Sequence, residues 1–92
     1  MNSITVKITA PLRRFTNGQA DVALSAGSVS DALVALCASH PDLRERILDA
    51  DGAPREFINV FVGKKNIRAL DGLGTRLAGG DVVSIASPFS GG

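Results

Sequence analysis

A single thiol, a single imidazole and a closing pair of glycines are the features of this 92-residue sequence from which chemistry could start. Cys37 is a potential nucleophile or persulfide carrier, but it falls on the apolar face of a predicted helix, where an unpaired cysteine acts as a small buried hydrophobe. His40 precedes Pro41 at a predicted helix end, a place for a solvated or capping side chain. With no second histidine, no Ser-His-Asp set and no convincing carboxylate pair, the groups needed for catalysis do not converge. The glycines of "DGLG" (71–74) and "AGGD" (78–81) are not followed by the Lys-Ser/Thr of a phosphate loop and read as turns. The final stretch, "SPFSGG", is different in kind. Glycine loses more backbone freedom on ordering than any other residue, so Gly91 and Gly92 are a poor finish for a strand and suit a thin tail.

Composition narrows the function classes. Ninety-two residues with 45% hydrophobic content suit one small core. Ten basic and nine acidic residues are interspersed for a net charge of +1, which leaves no electrostatic footprint for nucleic acid or an anionic membrane. The four aromatics are all Phe, a thin basis for a base-stacking surface. One cysteine excludes an internal disulfide and a four-cysteine iron–sulfur or zinc site, so no metal is expected. "MNSITVKITA" lacks a basic segment followed by an apolar signal core, and no run is long enough to span a membrane, so a cytoplasmic protein is expected.

The elements that would position any site follow from periodicity. "SITVKIT" (3–9) alternates with Ile4, Val6 and Ile8 on one face, and "ADVALSA" (20–26) resumes the alternation through Ala20, Val22 and Leu24. Pro11 and the Asn17-Gly18 turn signal lie between them, which predicts two antiparallel strands joined by a long hairpin. Ser28 is placed to cap a helix beginning near Val29, with Val29, Ala32, Leu33, Leu36 and Cys37 as its apolar stripe. Pro41 opens a second, short helix with Leu43, Ile47 and Leu48 facing inward. In "REFINVFV" (55–62), Phe57, Asn59 and Phe61 alternate with Ile58, Val60 and Val62, and both sets are mostly apolar. That pattern predicts a central strand buried on both faces, with Phe57 and Phe61 in the core. A short strand around Ile67 and a last strand through Val83 and Ile85 follow, and Pro88 ends the ladder.

This order predicts an α+β fold of the β-grasp kind: a mixed sheet of four to five strands packed on one main helix. The first and last long strands are expected to lie parallel at the sheet centre. The domain is expected to span residues 1–87, with 88–92 as a flexible Gly-Gly tail.

Residues 55–92 carry a resemblance. "REFINVFVGKKNIRALDGLGTRLAGGDVVSIASPFSGG" is similar to the ubiquitin-like sulfur carriers (the MoaD/ThiS/CysO-like family), which share the "VFV" strand, "IR", "DGL-x-T-x-L", "GD-x-V-x-I" and a Pro-x-x-Gly-Gly ending. The N-terminal half agrees in the order of strands and helix. The sequence departs from the family at Gly63-Lys64, where Asn-Gly is frequent, and at Phe89, where smaller aliphatic residues are common. The 41–55 segment is longer than in the shortest members, which leans towards the cysteine-pathway or molybdopterin-type branch over the thiamine type.

The resemblance implies a carrier that catalyses nothing and binds no cofactor. An E1-like adenylyltransferase/sulfurtransferase would use ATP to adenylate the Gly92 carboxylate and convert it to a thiocarboxylate, which a downstream sulfur-accepting synthase would consume. Gly91 and Gly92 would let the tail pass a narrow channel, and Pro88 would stiffen its start. Phe89 would supply docking contacts. Arg68, at the matched "IR" position, is a candidate for partner docking, while Arg13, Arg14 and Arg76 read as solvated surface. Two other functions share these features: a ubiquitin-like modifier joined through Gly92 to lysines, and a β-grasp binding module with an inert terminus.

Overall fold

The alternation at the start of the chain folds as β1 (Ser3–Ile8), whose Ile4, Val6 and Ile8 are buried while the residues between them face outward. These coordinates are a computed structural model, and the structure describes residues 2–87. β2 (Asp21–Ser25) runs antiparallel to β1, with Val6 opposite Val22 and Ile4 opposite Leu24. The connection is more structured than a plain hairpin loop. Ala10–Phe15 form a 3₁₀ helix with Pro11 in its first turn, which buries Leu12 before Asn17 (φ 56°) and Gly18 (φ 81°) reverse the chain.

α1 (Val29–Ser39) begins where Ser28 Oγ accepts the Asp31 N–H at 3.1 Å, and the expected stripe of Val29, Ala32, Leu33, Leu36 and Cys37 is its buried face. α2 (Pro41–Ile47) follows after one residue and buries Leu43 and Ile47. His40 joins the two helices through its main chain: its N–H donates to the Leu36 carbonyl and its own carbonyl accepts the Leu43 N–H. Its side chain makes no cap hydrogen bond.

The remaining strands are β3 (Asn59–Val62), β4 (Lys65–Asn66) and β5 (Val82–Ala86). The five strands form one sheet in the order β2-β1-β5-β3-β4. β5 runs parallel to β1, with Val6 opposite Val83 and Ile8 opposite Ile85, and antiparallel to β3. The first and last long strands thus lie side by side as the sequence predicts, with β5 in the middle. The "AGGD" turn sets this register, because Gly80 (φ 87°) donates its N–H to the Ser3 carbonyl and the Asp81 carbonyl accepts the Thr5 N–H.

Two expectations are corrected. β3 is not central, and its second face is not buried: Ile58 and Val60 are in the core, whereas Phe61 is half-buried and Phe57 is 41% exposed. The helices cover one face of the sheet, so a strand apolar on both sides has only one side to bury. The short strand expected around Ile67 lies one residue earlier, and Ile67 itself is buried at the start of a 3₁₀ turn over Ile67–Ala69.

Candidate functional site at the root of the C-terminal segment

Pro88, Phe89, Gly91 and Gly92 lie outside the described residues, as does the expected tail over 88–92. What the structure describes is the platform from which that segment leaves. β5 is held on both sides up to Ile85, which pairs with Ile8 of β1 and with Val60 of β3, and its last residue, Ala86, still faces Asn59 of β3. Val83 and Ile85 have no exposed surface. Burying an aliphatic side chain of this size contributes about 1.5–3 kcal/mol, so the strand is anchored until Ser87.

Arg68 is at this root. Its Nη1 donates to Asn59 Oδ1 and its Nη2 to the Glu56 carbonyl, both at 3.3 Å. Its backbone N–H donates to Asn66 Oδ1 at 2.9 Å, and Asn66 Nδ2 donates in turn to Asn59 Oδ1 at 3.3 Å. The side chain is exposed yet tied to the residue that faces Ala86. It braces the chain entering β3 and presents a cation beside the tail root.

On the other side of the root is a cleft of about 270 Å³ that sequence reasoning missed. Pro11, Leu12, Phe15 and Phe57 line it with apolar surface, Arg14 and Arg46 add two cations, and Ser87 forms part of its wall. The guanidinium carbons of Arg14 and Arg46 lie over the Phe15 ring, 5.3 and 4.9 Å from its centroid. A cation over an aromatic face is attracted by the ring quadrupole, which holds both guanidiniums at the cleft. The pair Arg14-Phe15 is contiguous in sequence, but Arg46 comes from α2 and Phe57 from the approach to β3. No local signal announces their meeting.

The lone thiol is not part of this site. Cys37 is buried in α1, and burial pushes its pKa above the ordinary thiol range, with nearby Arg44 opposing the shift. A buried neutral thiol is a weak nucleophile. Among the described residues no group of three or more His, Cys, Asp and Glu side chains could hold a metal ion, and no helix is long and apolar enough to cross a membrane. Among the described residues the arrangement offers no acid–base or nucleophilic set. It can present a chain terminus and dock a partner around it.

A mixed sheet with parallel first and last long strands beside each other at its centre, crossed on one face by the helix that follows the hairpin, is the ubiquitin-like β-grasp. The chain belongs to the ThiS family of ubiquitin-like sulfur carriers, whose model matches residues 6–92. It is 33% identical over 92 residues to the sulfur carrier protein CysO of Mycobacterium tuberculosis, covering 98% of this chain and 99% of that one. Among solved structures it is similar to SAMP1 of Haloferax volcanii, with a TM-score of 0.84 and 32% identity over 99% of this chain and 100% of that chain. A chain of the Amycolatopsis orientalis BexX/CysO complex superposes with a TM-score of 0.86 at 27% identity, covering 97% of this chain and 99% of that one. The protein is therefore a small carrier and not itself a catalyst, and its family implies an E1-like activating enzyme as partner.

Proposed function

We propose that this protein carries sulfur as a C-terminal thiocarboxylate on Gly92 in a cysteine- or molybdopterin-type biosynthetic pathway. The observation that carries this reading is the family match running through residue 92, which includes the Pro88-x-x-Gly91-Gly92 ending on the central strand's exit. A free carboxylate is a poor electrophile and carries no sulfur. Adenylation by an ATP-dependent E1-like enzyme turns it into a mixed anhydride with a good leaving group, and attack by a sulfur donor then replaces AMP to leave the thiocarboxylate. The anchored β5 fixes the origin of the segment, and residues 88–92 can reach at most about 18 Å beyond Ser87. The catalytic pocket of the partner must therefore come to the sheet end. In this reading Pro88, Phe89 and Gly91 dock the tail, and Arg68 contacts the partner from beside the root. We infer a cytoplasmic protein, the location expected from the sequence and one that supplies ATP for the activation step.

Similarity to CysO across nearly the whole chain supports the cysteine-type branch. A second reading, conjugation to lysines as a modifier, is supported by 35% identity over 65 residues to small archaeal modifier protein 3 of Haloferax volcanii, covering 71% of this chain and 70% of that one.

The test is intact-mass spectrometry of the Cys37→Ala chain after incubation with ATP, a sulfide source and activating enzymes from the same genome. The expected result is a gain equal to exchanging one oxygen for sulfur, confined to the C-terminal peptide and dependent on ATP. Lysine adducts without that exchange would replace the carrier reading with the modifier one.

A further inference from the structure

We propose that the cleft beside Ser87 is the docking site for an acidic, apolar-flanked segment of the enzyme that receives the tail, its carboxylate seated between Arg14 and Arg46. The inference rests on the carrier reading above for the identity of the partner, and on the cleft itself for the chemistry.

The charge is one-signed. Among the described residues, both ionic side chains lining the cleft are arginines and none is a carboxylate. By contrast, the cleft at the end of α2 mixes Arg44, Arg46 and Arg55 with Glu45 and Asp49, so it selects neither sign. Arg14 and Arg46 share one aromatic ring, and two like charges gathered there repel each other. An incoming carboxylate between them relieves that repulsion. The planar guanidinium fork matches a carboxylate in two-point geometry, so the pair favours Asp or Glu over a neutral amide.

The size sets the remainder of the ligand. A cleft of about 270 Å³ is at the small end of ligand-pocket sizes and accommodates one or two side chains of a partner. Pro11, Leu12 and Phe57 give those side chains an apolar wall. An aromatic ring contacted by two guanidiniums also has the composition of interface anchors, in which aromatic residues and Arg are enriched.

Position selects the partner. Ser87 is in the cleft wall, and Gly92, five residues on, reaches no further than about 18 Å from it. An enzyme that takes that terminus into its active site must bring its rim against the sheet end, where this cleft opens. Docking there would align the tail before chemistry and be felt in binding, since an interaction equal in ground and transition states changes KM and leaves kcat alone.

The test compares adenylation of the full chain with that of Arg14→Gln/Arg46→Gln, using the activating enzyme that modifies the wild-type protein. The expected outcome is a rise in KM of about tenfold or more with kcat retained, and a weaker dependence of KM on salt. Arg14→Lys/Arg46→Lys keeps the charge without the fork and should fall between the two. Removing the same charge at the opposite end of the sheet, in Lys64→Gln/Lys65→Gln, should leave KM within about twofold. A KM for the arginine double variant equal to that of this control overturns the inference while the carrier function stands. If no activating enzyme acts on the wild-type chain, the carrier reading fails, and the cleft is tested by NMR titration of the full chain with the blocked peptide Ac-Leu-Glu-Leu-NH2 against Ac-Leu-Gln-Leu-NH2. Shifts at Arg14, Phe15 and Arg46 with the Glu peptide alone support the cleft. Equal or absent shifts with both peptides overturn it.

Discussion

Asn59 faces Ala86 across the β3–β5 ladder, and the oxygen of the Asn59 side chain accepts a hydrogen bond from Arg68. A cation on a separate 3₁₀ turn is thereby fixed one cross-strand pair away from the point where the chain leaves the sheet. Arg68→Ala removes two side-chain hydrogen bonds at an exposed site and should cost about 0.5–1 kcal/mol of stability. Calorimetry with the partner enzyme should also show weaker binding. Unchanged affinity would reduce Arg68 to a local brace.

Deleting Gly92 should abolish the ATP-dependent mass gain and leave the melting temperature within error of the parent. Among the described residues the buried core runs from Ile4 to Ile85, and Gly92 has no side chain to contribute to it. Persistence of modification in the truncated chain would place the reactive group elsewhere.

Ile85→Ala should destabilise the fold by about 2–5 kcal/mol, the usual cost of cutting a large aliphatic side chain from a packed core. Ile85 has no exposed surface and touches both halves of the sheet through Ile8 and Val60. Urea unfolding would read the change. A cost near zero would mean that β5 is not the anchor of the tail.

The two glycines of "AGGD" should respond differently. Gly80 is at φ 87°, a conformation costly for residues with a Cβ, whereas Gly79 is not in that region, and neither has an atom in the way of an added methyl. Gly80→Ala should therefore lose about 1–2 kcal/mol while Gly79→Ala is near neutral. Equal losses in thermal melts would contradict the assigned turn.

Cys37 predicts a pH dependence. Burial raises its pKa in the folded state, so on alkaline titration the unfolded chain releases the thiol proton first. Below the ordinary thiol value, about 8.5, both states are protonated and the residue contributes no slope. Above it the folded state holds the extra proton, and stability falls as pH rises towards the folded value. Urea midpoints from pH 7 to 10 should decline less for Cys37→Ala than for the parent. Identical slopes would show that the thiol is open to solvent.

Local pattern alone carried a large part of this protein. The alternation of Ile4, Val6 and Ile8, the Ser28 cap, the stripe from Val29 to Cys37 and the Pro41 start all appear in the structure because periodicity and capping act over a few residues. The motifs of residues 55–92 pointed to the family for the same reason: they are contiguous. Which face of β3 is buried was not legible, because "FINVFV" is apolar on both sides and only the layer count of the whole fold leaves Phe57 and Phe61 outside. The meeting of Arg14, Phe15, Arg46 and Phe57 beside Ser87 was also decided by tertiary structure. Those residues come from four separate stretches, and only the packing of α2 and the β1–β2 connection around the end of β5 makes them neighbours.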